Sequence, residues 1–582
     1  MGTPPSTRDV ALPFHGSRGG TGPLTWGQQH MYQILNDLYP ESSGMNVVVD
    51  VPLREGLRQS DVADALRTLV ERHEALRTIY RSTSDGVRQE VIRSGTIVLS
   101  VLDAPAVTDE LRRDVRERLA TGPFELDREP ALRSCLLTSG GEPRHLTVVF
   151  CHLACDAIAV DVVRSELAAV SAASHGRPPP ERVHQPLEQA AFEESPAGVR
   201  TAERSLRYAQ SILRAMPQTM LPREPVSYEE PRFRYLHVRS EALALAANAL
   251  AARHRLSSRA AVIYAGLTTV AGYANGLTRS FLQLIAAGRL REETHHAVGS
   301  YSQEAFALVD LADADMDEVI RRSARTILCA DRFGTFPVPE RAELVRAVER
   351  ERGVRVSHPG GSLNYVNRAR GGVTTDRPTA AALAAAALRT TWQWIDGDNS
   401  AGCAYLLHAL DNGFAFDLRF LVDTTVIPVE EAAAWLRSVE RLLCRAAVTE
   451  LPLAELSPWV DVVPPSRGSR WRLVDSSWID LHAVADVVRS AGAVQRVDVF
   501  VDGTELVAYL AADAPVDLVR LRDSCQAALA GRRTAMVPHR FVVCADAPAV
   551  SDPSAWRTRR TVASGSGHSG VPTGSAVSRA GR

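Results

Sequence analysis

Over residues 61–78 the apolar side chains Val62, Leu66, Leu69, Val70 and Leu76 recur at three- and four-residue spacing, which predicts an amphipathic helix. The runs at 97–101 and 146–150 are short, apolar and β-rich, and predict strands. Helical, alanine-rich spacing resumes over 241–273, gives way to the apolar run 281–287, and returns at 316–329 and 339–351. After Pro464-Pro465 the rhythm tightens: helix 481–491, strand 497–501, an Asp502-Gly503 turn, strand 505–511, helix 516–529 and strand 541–544. This predicts a small second α/β domain. Gly176-Arg177-Pro178-Pro179-Pro180 stops any helix and reads as a bridge between the halves of the larger part. Residues 1–20 are rich in Pro, Gly, Ser and Arg and residues 551–582 in Ser, Gly and Arg, so they are expected to be a flexible arm and a disordered tail. The expected division is 1–20, 21–180, 181–462, 466–550 and 551–582.

Composition sharpens this. With 582 residues, 45% hydrophobic and 23% charged, the chain buries large cores, and its formal charge of -2 offers no electrostatic footprint for nucleic acid. All 66 basic residues are arginine, so Schiff-base, P-loop and adenylating mechanisms that need a lysine amine are excluded. The eight cysteines lack C-x-x-C pairs and zinc-like spacing, as expected of reduced thiols in a cytoplasmic protein. Neither a signal-peptide core nor an apolar stretch of spanning length is read, so no membrane association is expected.

The candidate chemistry lies in Val148-Val149-Phe150-Cys151-His152-Leu153-Ala154-Cys155-Asp156-Ala157: an apolar strand, a His-x-x-x-Asp turn, then a helix over 158–170. A histidine at a strand end is exposed and titrates near neutrality, so His152 can take a proton from a nucleophile. Asp156, past the turn, needs a cation if buried, and Arg289 is nominated. Cys155 is the alternative, an acylated nucleophile activated by His152. His73 reads as a structural helix residue, and His295-His296 has no third metal ligand at a telling spacing. Gly565-Ser566-Gly567-His568-Ser569-Gly570 fits a dinucleotide fingerprint only by composition.

Around this turn, Leu24-Thr25-Trp26-Gly27-Gln28-Gln29, Arg72-His73-Glu74-Ala75-Leu76-Arg77-Thr78, Pro123-Phe124-Glu125-Leu126, Ala287-Gly288-Arg289, Val298-Gly299-Ser300-Tyr301-Ser302-Gln303 and Leu363-Asn364-Tyr365 follow in order. Over about 23–450 the chain resembles the condensation domains of nonribosomal peptide synthetases. The resemblance implies an α/β (α+β) fold of two chloramphenicol-acetyltransferase-like lobes forming a V-shaped pseudo-dimer with a tunnel, followed here by the small α/β domain. It implies an acyltransferase, free-standing, of nonribosomal peptide or hybrid polyketide biosynthesis. A donor thioester on the phosphopantetheine arm of an acyl or peptidyl carrier protein would meet a small-molecule or carrier-bound amine or hydroxyl acceptor, with no bound cofactor. His152 would be catalytic, and Asp156 paired with Arg289 structural; Gly299, Tyr301, Gln303 and Asn364 would line the tunnel. The family's first motif histidine is Cys151 here, which strand alternation turns toward packing. Its closing glycine is Ala157, whose Cβ would reshape the turn. These departures favour the rival reading, an inactive module recruiting a carrier protein or partner enzyme; epimerisation or dehydration has no positive signature.

Trp478-Ile479-Asp480-Leu481, Leu506-Val507-Ala508-Tyr509-Leu510 and Ala535-Met536-Val537-Pro538-His539 look like the small C-terminal subdomain of adenylate-forming enzymes. The expected lysine loop reads Val550-Ser551-Asp552-Pro553-Ser554, so the module should adenylate nothing. It is either a docking platform or a remnant that packs on the main body.

Overall fold

A computed structural model describes residues 6–167, 170, 182–226, 228, 230–356, 360–369, 371–397, 403–492, 494–512 and 514–568. The bridge expected at 176–180 lies outside them. Contacts divide the chain into two units: 1–205 with 286–304 and 331–338, and 206–285 with 305–330 and 339–582.

The first unit holds a five-stranded sheet in the order Ser6–His15, Ser94–Asp103, Leu132–Ser139, Glu142–Phe150, Val47–Pro52. The expected flexible arm is corrected here, since Ser6–His15 pairs antiparallel with Ser94–Asp103 over its whole length. Leu12 and Phe14 enter the core, and Pro13, which has no N–H to give, is tolerated on an edge strand. The helix expected over 61–78 is Gln59–Arg72; His73 turns extended, a 3₁₀ turn covers Glu74–Arg77, and a strand starts at Thr78.

The second unit holds a seven-stranded sheet in the order Gln303–Asp310, Arg279–Ala286, Gly361–Asn367, Tyr405–Asp411, Phe416–Asp423, Phe233–Ser240, Thr391–Asp396. The helical stretch 241–273 is two helices, Glu241–Arg253 and Ala260–Asn275, the latter ended by Gly276 in the left-handed conformation.

The C-terminal module belongs to the same unit and carries a four-stranded sheet, Arg496–Asp502, Glu505–Ala511, Arg540–Cys544, Thr561–Ser566. The tail expected to be disordered from 551 is therefore ordered through 568. Asp552 caps the short helix Pro553–Arg557, and Trp556 is fully buried against Tyr509, its Nε1 donating to Asp498 at 2.7 Å. The following Ser/Gly/Thr-rich strand pairs with Arg540–Cys544, so backbone bonding holds a segment with little apolar pattern. The module's core includes Val354, just past the helix Val338–Arg352. Arg352 Nη1 donates to Leu213 O at 2.6 Å, and Trp478 Nε1 donates to Gly276 O at 2.8 Å. Among the described residues no helix is long and apolar enough to cross a membrane.

Candidate active site

The strand Glu142–Phe150 has a neighbour on each side, and its last residue, Phe150, faces Leu132 on one and Val47 on the other. The run from His145 to Phe150 is buried throughout, as expected of a strand covered on both faces. Pairing then stops. The Cys151 N–H makes one more bond, to Ala131 O at 3.0 Å, and the Ala154 N–H returns to Cys151 O at 2.9 Å. His152 stands in that turn, half-buried at the strand's end.

The turn closes on Asp156, the N-cap of the helix Ala157–Glu166. Asp156 Oδ1 accepts the Ala159 N–H at 2.9 Å, while Oδ2 accepts Arg289 Nη1 at 2.5 Å and the Tyr301 N–H at 3.0 Å. Arg289 Nη2 donates in turn to Ala297 O at 3.2 Å and Gly299 O at 3.4 Å, and its guanidinium lies 4.5 Å over the Tyr301 ring. The pair is almost fully buried, so removing one partner strands a charge at a cost of about 3–5 kcal/mol. The arginine nominated from the sequence is thus in contact with Asp156.

The backbone explains the spacing of the neighbouring motifs. Gly288 has φ +68°, and a Cβ there would lie 2.3 Å from Tyr301 O. A Cβ on Gly27 would lie 2.4 Å from Ser300 O, so the start of helix Trp26–Asp37 presses on the segment that gives Asp156 its N–H. Thr25 and Gln28 form a capping box that fixes this start.

Burial separates the titratable groups. His152 is held below the ordinary imidazole range, first by desolvation, with its own backbone and Asp156 acting the other way. It is therefore neutral near pH 7, with Nδ1 buried and unpartnered among the described residues. Cys151 is packed in the core, its thiol pushed up to about 12 by burial. Cys155 is fully buried and its thiol is pushed well above its ordinary range, also by burial, which removes the thiolate a covalent route needs. Ala157 is the first helical residue, exposed, with no positive φ, so its Cβ sits in an unstrained backbone.

Gly299 and Tyr301 belong to the Asp156–Arg289 network; the Tyr301 hydroxyl is buried and unpartnered among the described residues. Gln303 is different from expectation. Its Nε2 donates to Trp26 O and Phe336 O, both at 3.0 Å, and its Oε1 accepts the Phe336 N–H at 2.8 Å. At 1% exposure it clamps backbone and has no amide hydrogen left for a ligand. Asn364 stands in the second unit on the strand Gly361–Asn367, with Nδ2 3.3 Å from His408 Nδ1. His73 is buried, 3.0 Å from Glu166.

One group escaped the sequence reading. Glu193, on helix Pro186–Glu194, accepts the Trp26 N–H at 2.8 Å and Gln189 Nε2 at 2.8 Å. Burial pushes its carboxyl up to about 8. The only local signal is the i, i+4 pair Gln189/Glu193; the fold brings it to Trp26.

A family model for the condensation domain matches residues 19–355. The chain is 30% identical over 166 residues to phosphinothricin tripeptide synthetase PhsC of Streptomyces viridochromogenes, a match spanning 28% of this chain and 15% of that protein. It thus spans only a small part of such curated relatives. Among solved structures, SgcC5 from Streptomyces globisporus superposes with a TM-score of 0.56 at 20% identity, covering 73% of this chain and 98% of that one. The X-domain in its complex with OxyB from teicoplanin biosynthesis gives 0.54 at 19% identity, covering 74% and 94%. At such identities the likeness is one of fold, which is the mixed α/β architecture expected from the sequence.

Proposed function

The chain belongs to the condensation-domain family, and from that premise we propose that it is an acyltransferase using His152 to join a thioester to an amine or hydroxyl acceptor. The thioester is an acyl or aminoacyl group on the phosphopantetheine arm of a carrier protein, and the setting is nonribosomal peptide or hybrid polyketide biosynthesis. The acceptor attacks the thioester carbonyl, and the imidazole takes or orients the acceptor's proton. The C–S bond then breaks, and the proton passes to the departing thiolate.

The observation that carries this reading is the sorting of side chains within one turn. Asp156 spends its carboxylate on Arg289 and two backbone N–H groups, and both cysteines are buried with raised thiols. His152 is left half-buried and neutral, the state a general base requires. Asp156 and Arg289 serve as the frame, with Gly299 and Tyr301 supporting it. No resident cofactor takes part in the proposed step.

The second reading, an inactive recruiting module, draws support from the likeness to an X-domain found in complex with a partner enzyme. Intact-mass detection of product from acyl-loaded carrier proteins and candidate acceptors, run beside His152→Ala, decides between them. Product that falls by roughly 10²- to 10⁴-fold in the variant supports the acyltransferase. Tight carrier binding with no acceptor consumed supports the recruiter.

A further inference from the structure

An open cleft of about 840 Å³ lies in the second unit, lined by residues before and within helix Val429–Val448, by the segment 461–471 and by the C-terminal module. This is within the range of small-molecule sites. Its charges are unevenly committed. Arg223 grips Glu431 with two bonds, Nη1 at 2.6 Å and Nη2 at 3.0 Å, and also donates to Asn275 Oδ1 at 3.1 Å. Beside it stands Arg467, held over Trp478 at 4.6 Å and Trp471 at 5.6 Å, with no hydrogen bond or ion pair among the described residues. Glu431 is thus taken by Arg223 while Arg467 has ring faces alone, and burial and the Arg223 charge both act against Arg467 carrying its own charge. An anion bound at that point would offset both effects.

The rest of the wall narrows the choice of anion. Asp461 is engaged by Arg437 at 3.2 Å and also by Arg441, and Asp480 by Arg470 at 3.3 Å. Glu430 is exposed and has no partner among the described residues, and Glu224 accepts Thr534 Oγ1 at 3.1 Å and lies within electrostatic reach of Arg533, which is outside the wall. A doubly charged phosphate would find one uncommitted cation and these spare carboxylates. A molecule with one carboxylate and one ammonium matches both. We propose that this cleft binds a free amino acid or short peptide, its carboxylate on the fork of Arg467 and its ammonium toward Glu430 and Glu224. Val462, Ala434 and the Trp471 ring supply apolar wall for the side chain. The site is independent of the reading of His152.

The test is titration of the full chain, followed by calorimetry and by the fluorescence of the tryptophans, two of which flank Arg467. The probes are L-leucine, N-acetyl-L-leucine, L-leucinamide and inorganic phosphate. L-leucine should saturate, N-acetyl-L-leucine should bind more weakly, and leucinamide and phosphate should not bind measurably. Arg467→Gln should weaken L-leucine by roughly 10- to 100-fold, the scale of a charge-assisted hydrogen-bonded pair. Glu430→Gln should weaken L-leucine but leave N-acetyl-L-leucine unchanged, a contrast that survives even if Arg467→Gln fails to fold. Absence of saturation by L-leucine, unchanged affinity in a folded Arg467→Gln, or phosphate binding more tightly than L-leucine would each overturn the proposal.

Discussion

The two units contain the same device put to different ends. In the first, Asp156 follows the strand Glu142–Phe150 and holds Arg289; in the second, Asp411 ends the strand Tyr405–Asp411 and holds Arg259 at 2.5 Å. Each aspartate is fully buried and bonded through both oxygens, Asp411 by Arg259, the Gly413 N–H at 2.9 Å and the Tyr365 hydroxyl at 2.6 Å. Both pin a chain reversal. The histidines beside them part company. His408 sits inside its strand, opposite Asn364 on one neighbour and Arg419 on the other, and burial and the Arg419 charge push it down to about 4. His152 lies past the last strand pair, which ends at Phe150. An ion-paired aspartate is therefore an anchor in both places, and the histidines differ in their position relative to the strand end, His408 within the ladder and His152 beyond it.

The largest effect that sharpens this contrast is on turnover. His152→Ala should lower product formation by roughly 10²- to 10⁴-fold in the carrier-protein assay with little change in melting temperature, whereas His408→Ala should leave turnover nearly intact. The acid limb of the wild-type pH–rate profile should fall below the ordinary imidazole range, because burial depresses His152. Next come the anchors. Asp156→Ala and Asp411→Ala should each lose about 3–5 kcal/mol in denaturant unfolding, since each leaves a buried guanidinium unpaired. Comparable losses that abolish turnover only for Asp156→Ala would sustain the comparison; a stable Asp156→Ala would break it.

A smaller effect is expected at Glu193. Its folded carboxyl titrates at about 8 against an ordinary 4.5, so between those values the folded state keeps a proton the unfolded chain has released. Stability should fall as pH rises through that window, at up to about 1.4 kcal/mol per pH unit, and Glu193→Gln should flatten the slope in melts taken across it. The smallest effect is at Cys155: Cys155→Ala should keep turnover within about threefold, since proximity and one base suffice for direct transfer. Loss on the scale of His152→Ala would revive the covalent route.

Strong local pattern carried across to the structure with little loss. The expected helix 481–491 and strand 505–511 match the observed Leu481–Ala491 and Glu505–Ala511, because apolar periodicity there agrees with the packing. The order of strand, His-x-x-x-Asp and helix was equally readable, and with it the need of Asp156 for a cation. The termini were not. Within Ser6–His15 the apolar residues Val10, Leu12 and Phe14 do alternate, but Pro13 and the surrounding Pro, Gly and Ser mask the strand, while Thr561–Ser566 has little apolar alternation; both pair with segments distant in sequence, which no window of residues contains. Gln303 misled for a related reason: an amide beside an aromatic looks available until Trp26 and Phe336 are brought against it.

The chain's residue order thus determined the family, the catalytic candidate and the chemistry it cannot perform, since residue type limits chemistry and local periodicity limits secondary structure. Only tertiary structure decided which groups remain open to a ligand. It committed Gln303 and Asp156 to the frame, buried both cysteines, brought Glu193 to Trp26, and left Arg467 on the rings of Trp478 and Trp471 without a carboxylate among the described residues. Desolvation and hydrogen-bond satisfaction depend on neighbours that lie far apart along the chain, and the fold alone brings them together.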